Sequence, residues 1–359
     1  MLVPERLPPA LSWSTELVAA LSAADRAVGE LAGLGSLSGG GELLRLVVGP
    51  LVHREAVLSS RIEGTRADLD DVYARAAGQP DRRDAQEVLN YVRAIEFGVE
   101  RLATLPVSLR LIRELHERLT SGVRGDQAYP GEFRRGQNWI GPPGATLGQA
   151  TYVPPPVPEM HEALDAFERF LHAESDLPPL VRLGLIHAQF EAIHPFVDGN
   201  GRVGRLLVSL LPVAWGLLPL PLLNVSAFLD ARRDEYYARL LGVATESAWP
   251  AWLGFFLAAV AESAKDAVGR VRALQDLRVR WRARLEERRA SALALRLAEH
   301  LFAAPLLTIP QAQAALGVTY RAAALNVAKL VDAGILRPVG EAAYGRTFVA
   351  PELISLLGA

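Results

Sequence analysis

Clear period-2 alternation is scarce along this chain, and stretches rich in alanine, leucine and arginine follow one another with glycine- and proline-containing breaks. A half-buried strand needs alternation, whereas an amphipathic helix needs recurrence near 3.6 residues, so most of the chain is expected to be helical. The pattern predicts helices over 14–34, 41–61, 84–103, 108–120, 157–172, 180–193, 202–213, 227–245 and 248–289. Separators such as GLGSLSGGG and RLATLPVS divide them. The exception is 129–156, YPGEFRRGQNWIGPPGATLGQATYVPPP, rich in glycine, proline and β-formers. It reads as an extended hairpin with a glycine-rich turn, and a long segment of this kind inside a compact chain is usually functional.

Length sets the organisation: 359 residues is a prior for two or three domains. The tail departs from the rest. Residues 262–300 form an arginine-rich linker helix, and 301–359 show a short helix at 310–316, a turn at Gly317, a longer helix at 320–333, then the hairpin-like GILRPVGEAAYGRTFV. That order is the winged helix-turn-helix pattern. The expected division is an N-terminal helical region (1–105), a core (106–261), the linker helix and the winged-helix domain.

Charge and composition exclude several roles. A formal net charge of −2 argues against a chain whose main task is to coat nucleic acid. The tail alone carries Arg321, Lys329, Arg337 and Arg346 against Asp332, Glu341 and Glu352, which gives DNA binding only weak support. With no cysteine there are no disulfides or thiolate metal sites. The opening MLVPERLPPALSW has no apolar core of a signal peptide. The stretch 206–223, LLVSLLPVAWGLLPLPLL, is long enough to span a membrane, but Pro212, Pro219 and Pro221 interrupt it. A buried helix followed by a buried turn is expected, in a soluble cytoplasmic protein.

Chemistry concentrates in 194–205, HPFVDGNGRVGR. A helix with Leu183, Leu185, Ile186, Phe190 and Ile193 on its buried side is expected to end before His194, because Pro195 disfavours helix at the residue ahead of it. The loop offers an imidazole, the Asp198 carboxylate and Gly199-Asn200-Gly201, and the next helix has Arg202 and Arg205 in its first turn. Glycines let successive amides face one concavity, and a helix N-terminus adds positive potential. Cations there are unfavourable unless an anion compensates them, so the two arginines point to a polyphosphate. A carboxylate beside a phosphate cradle suits Mg²⁺, and a histidine suits proton transfer near neutral pH.

This loop resembles the signature of the Fic family: His, any residue, Phe, any residue, Asp or Glu, Gly-Asn-Gly-Arg, two residues, Arg. His194, Phe196, Asp198, Gly199, Asn200, Gly201, Arg202 and Arg205 fill every fixed position. The resemblance implies a mainly α fold, a Fic helical core carrying a β-hairpin flap, and transfer of AMP from ATP to a Tyr, Thr or Ser hydroxyl of a target protein, with pyrophosphate leaving. It implies that His194 deprotonates the hydroxyl, Asp198 holds Mg²⁺ between the α- and β-phosphates, and Asn200 with the Gly199 and Gly201 backbone cradles the phosphates. Arg202 and Arg205 would clamp the β/γ end and Phe196 would pack inward. Relatives that transfer the γ-phosphoryl group carry Lys where this chain has Gly201, which favours AMP transfer here.

Three further matches extend the resemblance. SSRIEGT at 59–65 is similar to the family's inhibitory helix motif, with Ser59, Glu63 and Gly64 in its fixed places. Glu63 would then pair with Arg205 and restrain transfer, and Gly64 suits a left-handed helix cap. Asn138, Ile140 and Gly141 resemble the flap that positions a target backbone by strand addition. Tyr236-Tyr237 falls where the family often has tyrosines near the adenine, and ordinary helix packing accounts for the pair equally well. AMP removal at the same site, or a DNA-binding regulator whose Fic domain senses nucleotide, are the alternatives. Self-modification and homo-oligomers are compatible with the resemblance.

Overall fold

The computed structural model describes residues 2–34, 40–76, 83–123, 129–142, 144–339 and 346–358. The separator at 35–39 and the turn of the hairpin-like tail at 340–345 lie outside the described residues.

The first four helices are α1 (Thr15–Gly33), α2 (Gly40–Ile62), α3 (Leu69–Ala76) and α4 (Arg83–Arg101). After α5 (Leu109–Thr120) comes the glycine- and proline-rich segment, then α6 (Val157–His172), α7 (Pro179–Ile193) and α8 (Asn200–Ala214). Short polar side chains mark two of these starts: Ser14 accepts from the Leu17 amide and Ser108 from that of Leu111. α7 is buried on nearly all its faces, Leu180, Leu183, Ile186, Phe190 and Ile193 among them. A helix buried on nearly every face belongs in the middle, and α6, α8, α10 and α11 surround it. α8 runs past Pro212 and ends at Ala214, so the apolar stretch 206–223 is a buried helix end and a turn. No helix among the described residues is long and apolar enough to cross a membrane.

The single helix expected over 227–245 is two, α9 (Ser226–Ala231) and α10 (Arg233–Glu246), because Arg232 leaves the helical region at φ −125° and ψ 39°. The break lets α9 pack on α2 while α10 packs on α7 and α11. α11 (Trp249–Glu287) follows, 39 residues and about 58 Å long at 1.5 Å per residue. It runs without interruption through position 261, where a boundary between core and linker was expected, and α1 packs along it.

The tail comprises α12 (Ala292–His300), β1 (Leu306–Thr308), α13 (Ile309–Leu316), α14 (Tyr320–Asp332), β2 (Arg337–Val339), β3 (Thr347–Val349) and α15 (Pro351–Gly358). The strands form an antiparallel sheet in the order β1-β3-β2, with Leu306 and Arg337 both opposite Val349. A Thr308/Gln311 capping box starts α13 and Gly317, at φ +69°, ends it. α15 returns to pack on α11, α2 and α3.

Candidate active site

The signature loop sits between two central helices. α7 ends at His194, whose backbone is left-handed at φ 48° and ψ 60°. A non-glycine residue in that region costs about 1–3 kcal/mol, so the surroundings must enforce it. Gly199, at φ +79°, makes the second reversal and starts α8.

Phe196 anchors the loop. It is fully buried and stacks on His116 of α5, with centroids 3.8 Å apart and planes 4° from parallel. The Gly131 amide donates to His116 Nδ1, so the proton is on Nε2, which donates to the Asp198 carbonyl at 3.0 Å. The Asn200 side chain closes the loop from inside: its Oδ1 accepts from the Phe196 amide and its Nδ2 donates to the Phe196 carbonyl, both at 2.9 Å. Both ends of that amide are thus used within the loop. The Asn200 side chain shapes the cradle from within, a role beside the phosphate contact implied by resemblance.

His194 is half-buried, and burial pushes its imidazole down to about 4, so it is neutral at pH 7. Its Nδ1 lies 3.3 Å from the Glu191 carbonyl. A carbonyl only accepts, so Nδ1 carries the hydrogen and Nε2 keeps a free lone pair. Proton acceptance is what this tautomer can do.

Arg202 and Arg205 are both buried, in different states. Arg205 Nε donates to Ser59 Oγ at 2.8 Å, and its Nη2 donates to the Ser59 carbonyl at 3.0 Å and to Glu63 Oε1 at 2.7 Å. Ser59 and Glu63 are one turn apart at the end of α2, where Gly64 takes φ +93°. Burial alone would raise the Glu63 carboxyl, but the Arg205 guanidinium outweighs it and holds the group below its ordinary value. The carboxylate lies over Gly201: a Cβ there would collide with Glu63 Oε1 and come within 2.9 Å of Arg205 Nη1. Arg202 Nη2 touches Asp198 Oδ2 at 3.3 Å and its Nη1 lies 3.7 Å from Glu87 Oε2, beyond hydrogen-bond range, so that among the described residues Nε and Nη1 make no hydrogen bond. Buried unpaired donors are costly, and at a helix N-terminus they fit an anion.

Asp198 has an exposed carboxylate on the same rim, its side chain 52% accessible. The described residues hold no group of three His, Cys, Asp or Glu that could bind a metal unaided. One carboxylate beside orphaned arginine donors fits an ion that arrives with phosphate, as Mg²⁺ does.

The outlying site residues were less legible. Tyr236, expected near the adenine, faces the interior. It is 1% exposed, hydrogen-bonded to His187 Nε2 at 2.8 Å and packed on Trp252. Tyr237 is exposed instead, with its hydroxyl 3.5 Å from the Ile62 carbonyl at the end of α2. Among the described residues of 129–156 the expected extended hairpin shrinks to one bridge, Ile140 with Tyr152, and a turn of 3₁₀ helix at Leu147–Gln149. Prolines at 142, 154, 155 and 156 offer no N–H for a longer ladder. Ile140 is 39% exposed and Gly141 is beside it at the tip, but the Asn138 side chain turns inward and donates to the Phe196 carbonyl at 2.9 Å. Asn138 therefore ties the flap to the loop. His116 and Arg134 also hold the loop, and neither belongs to the loop motif. His116 lies on the buried face of α5 with Ile112 and Leu119, a spacing that would have marked it.

Comparison with known proteins places the chain in a family. The Fic/DOC family N-terminal model matches residues 18–100, and the Fic/DOC family model matches 106–211, which contains the whole loop. The chain belongs to the Fic/DOC family. Among curated Fic relatives, the protein adenylyltransferase Fic of Drosophila virilis is 37% identical over 154 residues, 42% of this chain and 28% of the relative. That of Drosophila melanogaster is 36% identical over the same length. The chain thus spans well under a third of these relatives. Among solved structures, a Fic family protein from Desulfovibrio desulfuricans G20 superposes with a TM-score of 0.61 at 21% identity, covering 95% of this chain and 98% of that one. Fic-1 from C. elegans gives 0.57 at 22% identity, covering 73% and 74%. At these identities the likeness is one of fold, and it extends in the first case along almost the entire chain.

Proposed function

We propose that this protein transfers AMP from ATP to a hydroxyl of a target protein, and that Glu63 restrains the transfer. The observation that carries the reading is the His194 tautomer: a neutral imidazole with Nε2 free, on the same loop as an anion cradle. In the step, His194 Nε2 takes the proton of a Tyr, Thr or Ser hydroxyl, and the oxygen attacks the α-phosphorus of ATP. The bond from that phosphorus to the bridging oxygen breaks and pyrophosphate leaves. The Gly199–Gly201 amides and Arg202 orient the phosphates. Mg²⁺ bound at Asp198 would neutralise phosphate charge. Arg205 is engaged by Ser59 and Glu63, so ATP meets a cradle whose second arginine is withheld.

Incubation of the protein with labelled ATP and a cell lysate, followed by mass spectrometry for AMP adducts, tests the reading. Adducts that require His194 support it, and their absence with both wild type and the Glu63→Gly protein removes it. A second reading, removal of AMP from a modified target, is favoured by one observation: Glu63 is held as a carboxylate at the site and could orient water. We further propose that 301–359, with its strand, two helices, two strands and closing helix, is a winged helix-turn-helix, and that the protein acts in the cytoplasm. Its near-neutral charge makes a protein a better partner for it than DNA.

A further inference from the structure

Arg134 is 2% exposed, yet no carboxylate lies within ion-pair range of it among the described residues. A buried guanidinium without a counter-ion is costly, and an apolar side chain of similar length would fill the same space more cheaply. What Arg134 has instead is a set of backbone carbonyls. Nε donates to His194 O at 3.1 Å, Nη1 to Gly136 O at 3.1 Å and Nη2 to Pro155 O at 2.5 Å. Its own amide donates to Pro195 O at 2.8 Å. Gly136 and Pro155 belong to the two limbs of the flap, which meet again at Ile140 and Tyr152. His194 is the residue held in the left-handed conformation. One planar fork therefore touches both limbs of the flap and the carbonyl of the proposed base.

We propose that Arg134 is a positioning residue for AMP transfer, locking His194 and the two limbs of the flap into one rigid unit. The inference rests on the transfer reading above. A target strand laid along the flap then presents its hydroxyl to an imidazole whose place relative to that flap is already fixed. The planar, rigid spread of guanidinium donors is what three divergent carbonyls require, and a lysine ammonium cannot reproduce it. Phosphate binding is not part of the role, since none of the three carbonyls belongs to the Gly199–Gly201 cradle.

The test uses the full chain carrying Glu63→Gly, with and without Arg134→Lys, and Arg134→Met as a second variant. Labelled-ATP transfer gives kcat and KM, calorimetry gives ATP affinity, and histidine side-chain NMR reports His194 directly. Arg134→Lys is expected to lower kcat roughly 10²-fold, the effect of an ångström of misplacement, with ATP affinity at the control value. The His194 imidazole resonance is expected to move or broaden. A folded Arg134→Lys protein with control kcat overturns the inference and leaves the transfer reading standing. A control that transfers no AMP defeats that reading instead, and the NMR then decides the structural claim: an unmoved His194 resonance in both variants overturns it.

Discussion

At the scale of single residues, the site divides into groups that do chemistry and groups that hold them. His194 lacks a carboxylate partner for its Nδ1 and uses the Glu191 carbonyl instead, which fixes the tautomer and offsets only part of the loss of basicity that burial causes. His194→Ala is expected to reduce AMP transfer by ~10²–10⁴-fold with ATP binding retained, measured by labelled transfer beside calorimetry. Wild-type rates in that variant would assign the base elsewhere. Asp198→Ala should abolish the Mg²⁺ dependence of ATP affinity, and zinc should not restore it, because a single carboxylate with phosphate oxygens suits a hard cation. An unchanged Mg²⁺ response would place the ion at other ligands. Glu63→Gly frees Arg205 for phosphate. Transfer should rise by about 10²-fold, since a misaligned phosphate costs about that much, with far less change in ATP affinity. Equal rates with and without Glu63 would leave the observed ion pair a purely structural contact.

At the scale of elements, the site depends on how closely α7 can approach its neighbours. Gly184 lies where α11 crosses α7: its carbonyl accepts from Trp252 Nε1 at 2.9 Å, and a Cβ would come within 2.9 Å of Phe256 and 3.0 Å of Leu253. Those side chains are fully buried and have nowhere to retreat. Gly184→Ala should cost roughly 1–3 kcal/mol, seen as a lowered midpoint in thermal or denaturant unfolding. An unaltered midpoint would mean that the two helices can separate slightly without loss. α2 has the opposite requirement, since its end must reach into the site. Glu55, two turns ahead of Glu63, accepts from the Ser226 amide and hydroxyl at the start of α9, and so fixes the helix along its length.

At the scale of the whole molecule, the buried ionisable groups set an uncommon dependence of stability on pH. Burial holds His116 and His194 at about 4 and His187 at about 3, against an ordinary 6.5. Between those values the unfolded chain binds protons that the native chain does not, so stability falls as pH falls below 6.5. Burial raises Glu55 to about 7 and Glu191 to about 8, against an ordinary 4.5. There the native chain holds the extra protons, and stability falls as pH rises from 4.5 through 8. The two sets oppose each other from 4.5 to 6.5, and only the carboxyl groups act above 6.5. The unfolding midpoint should therefore be lower at pH 8.5 than at pH 6, and Glu191→Gln should remove part of the difference. A midpoint that climbs steadily over that interval would show that these carboxyls ionise freely in the fold.

The loop from His194 to Arg205 and the helices around it could be read from the sequence, because both depend on local order. α6 begins and ends at the residues expected, and α1, α5, α7 and α11 agree to within two, since apolar recurrence and N-caps are properties of a short window of chain. The Glu63–Arg205 pair was also legible, from two short motifs matched to one family. The break at Arg232 and the short helices α3 and α15 could not be found this way, because eight residues give too few turns for a period, whereas the equally short α13 was marked by the turn at Gly317 that ends it. Tyr236 and Asn200 show the limit most clearly. Each has the residue type a nucleotide site would use, and each is claimed by neighbours distant in sequence or folded back upon it, His187 in one case and the Phe196 backbone in the other. Arg134 lies 60 residues from His194, and only packing α5, the flap and α7 together brings its guanidinium to that carbonyl. Sequence determined which groups could do chemistry, while tertiary structure decided which of them remained unpaired to do it, because hydrogen-bond capacity is used up by whatever the fold places within reach.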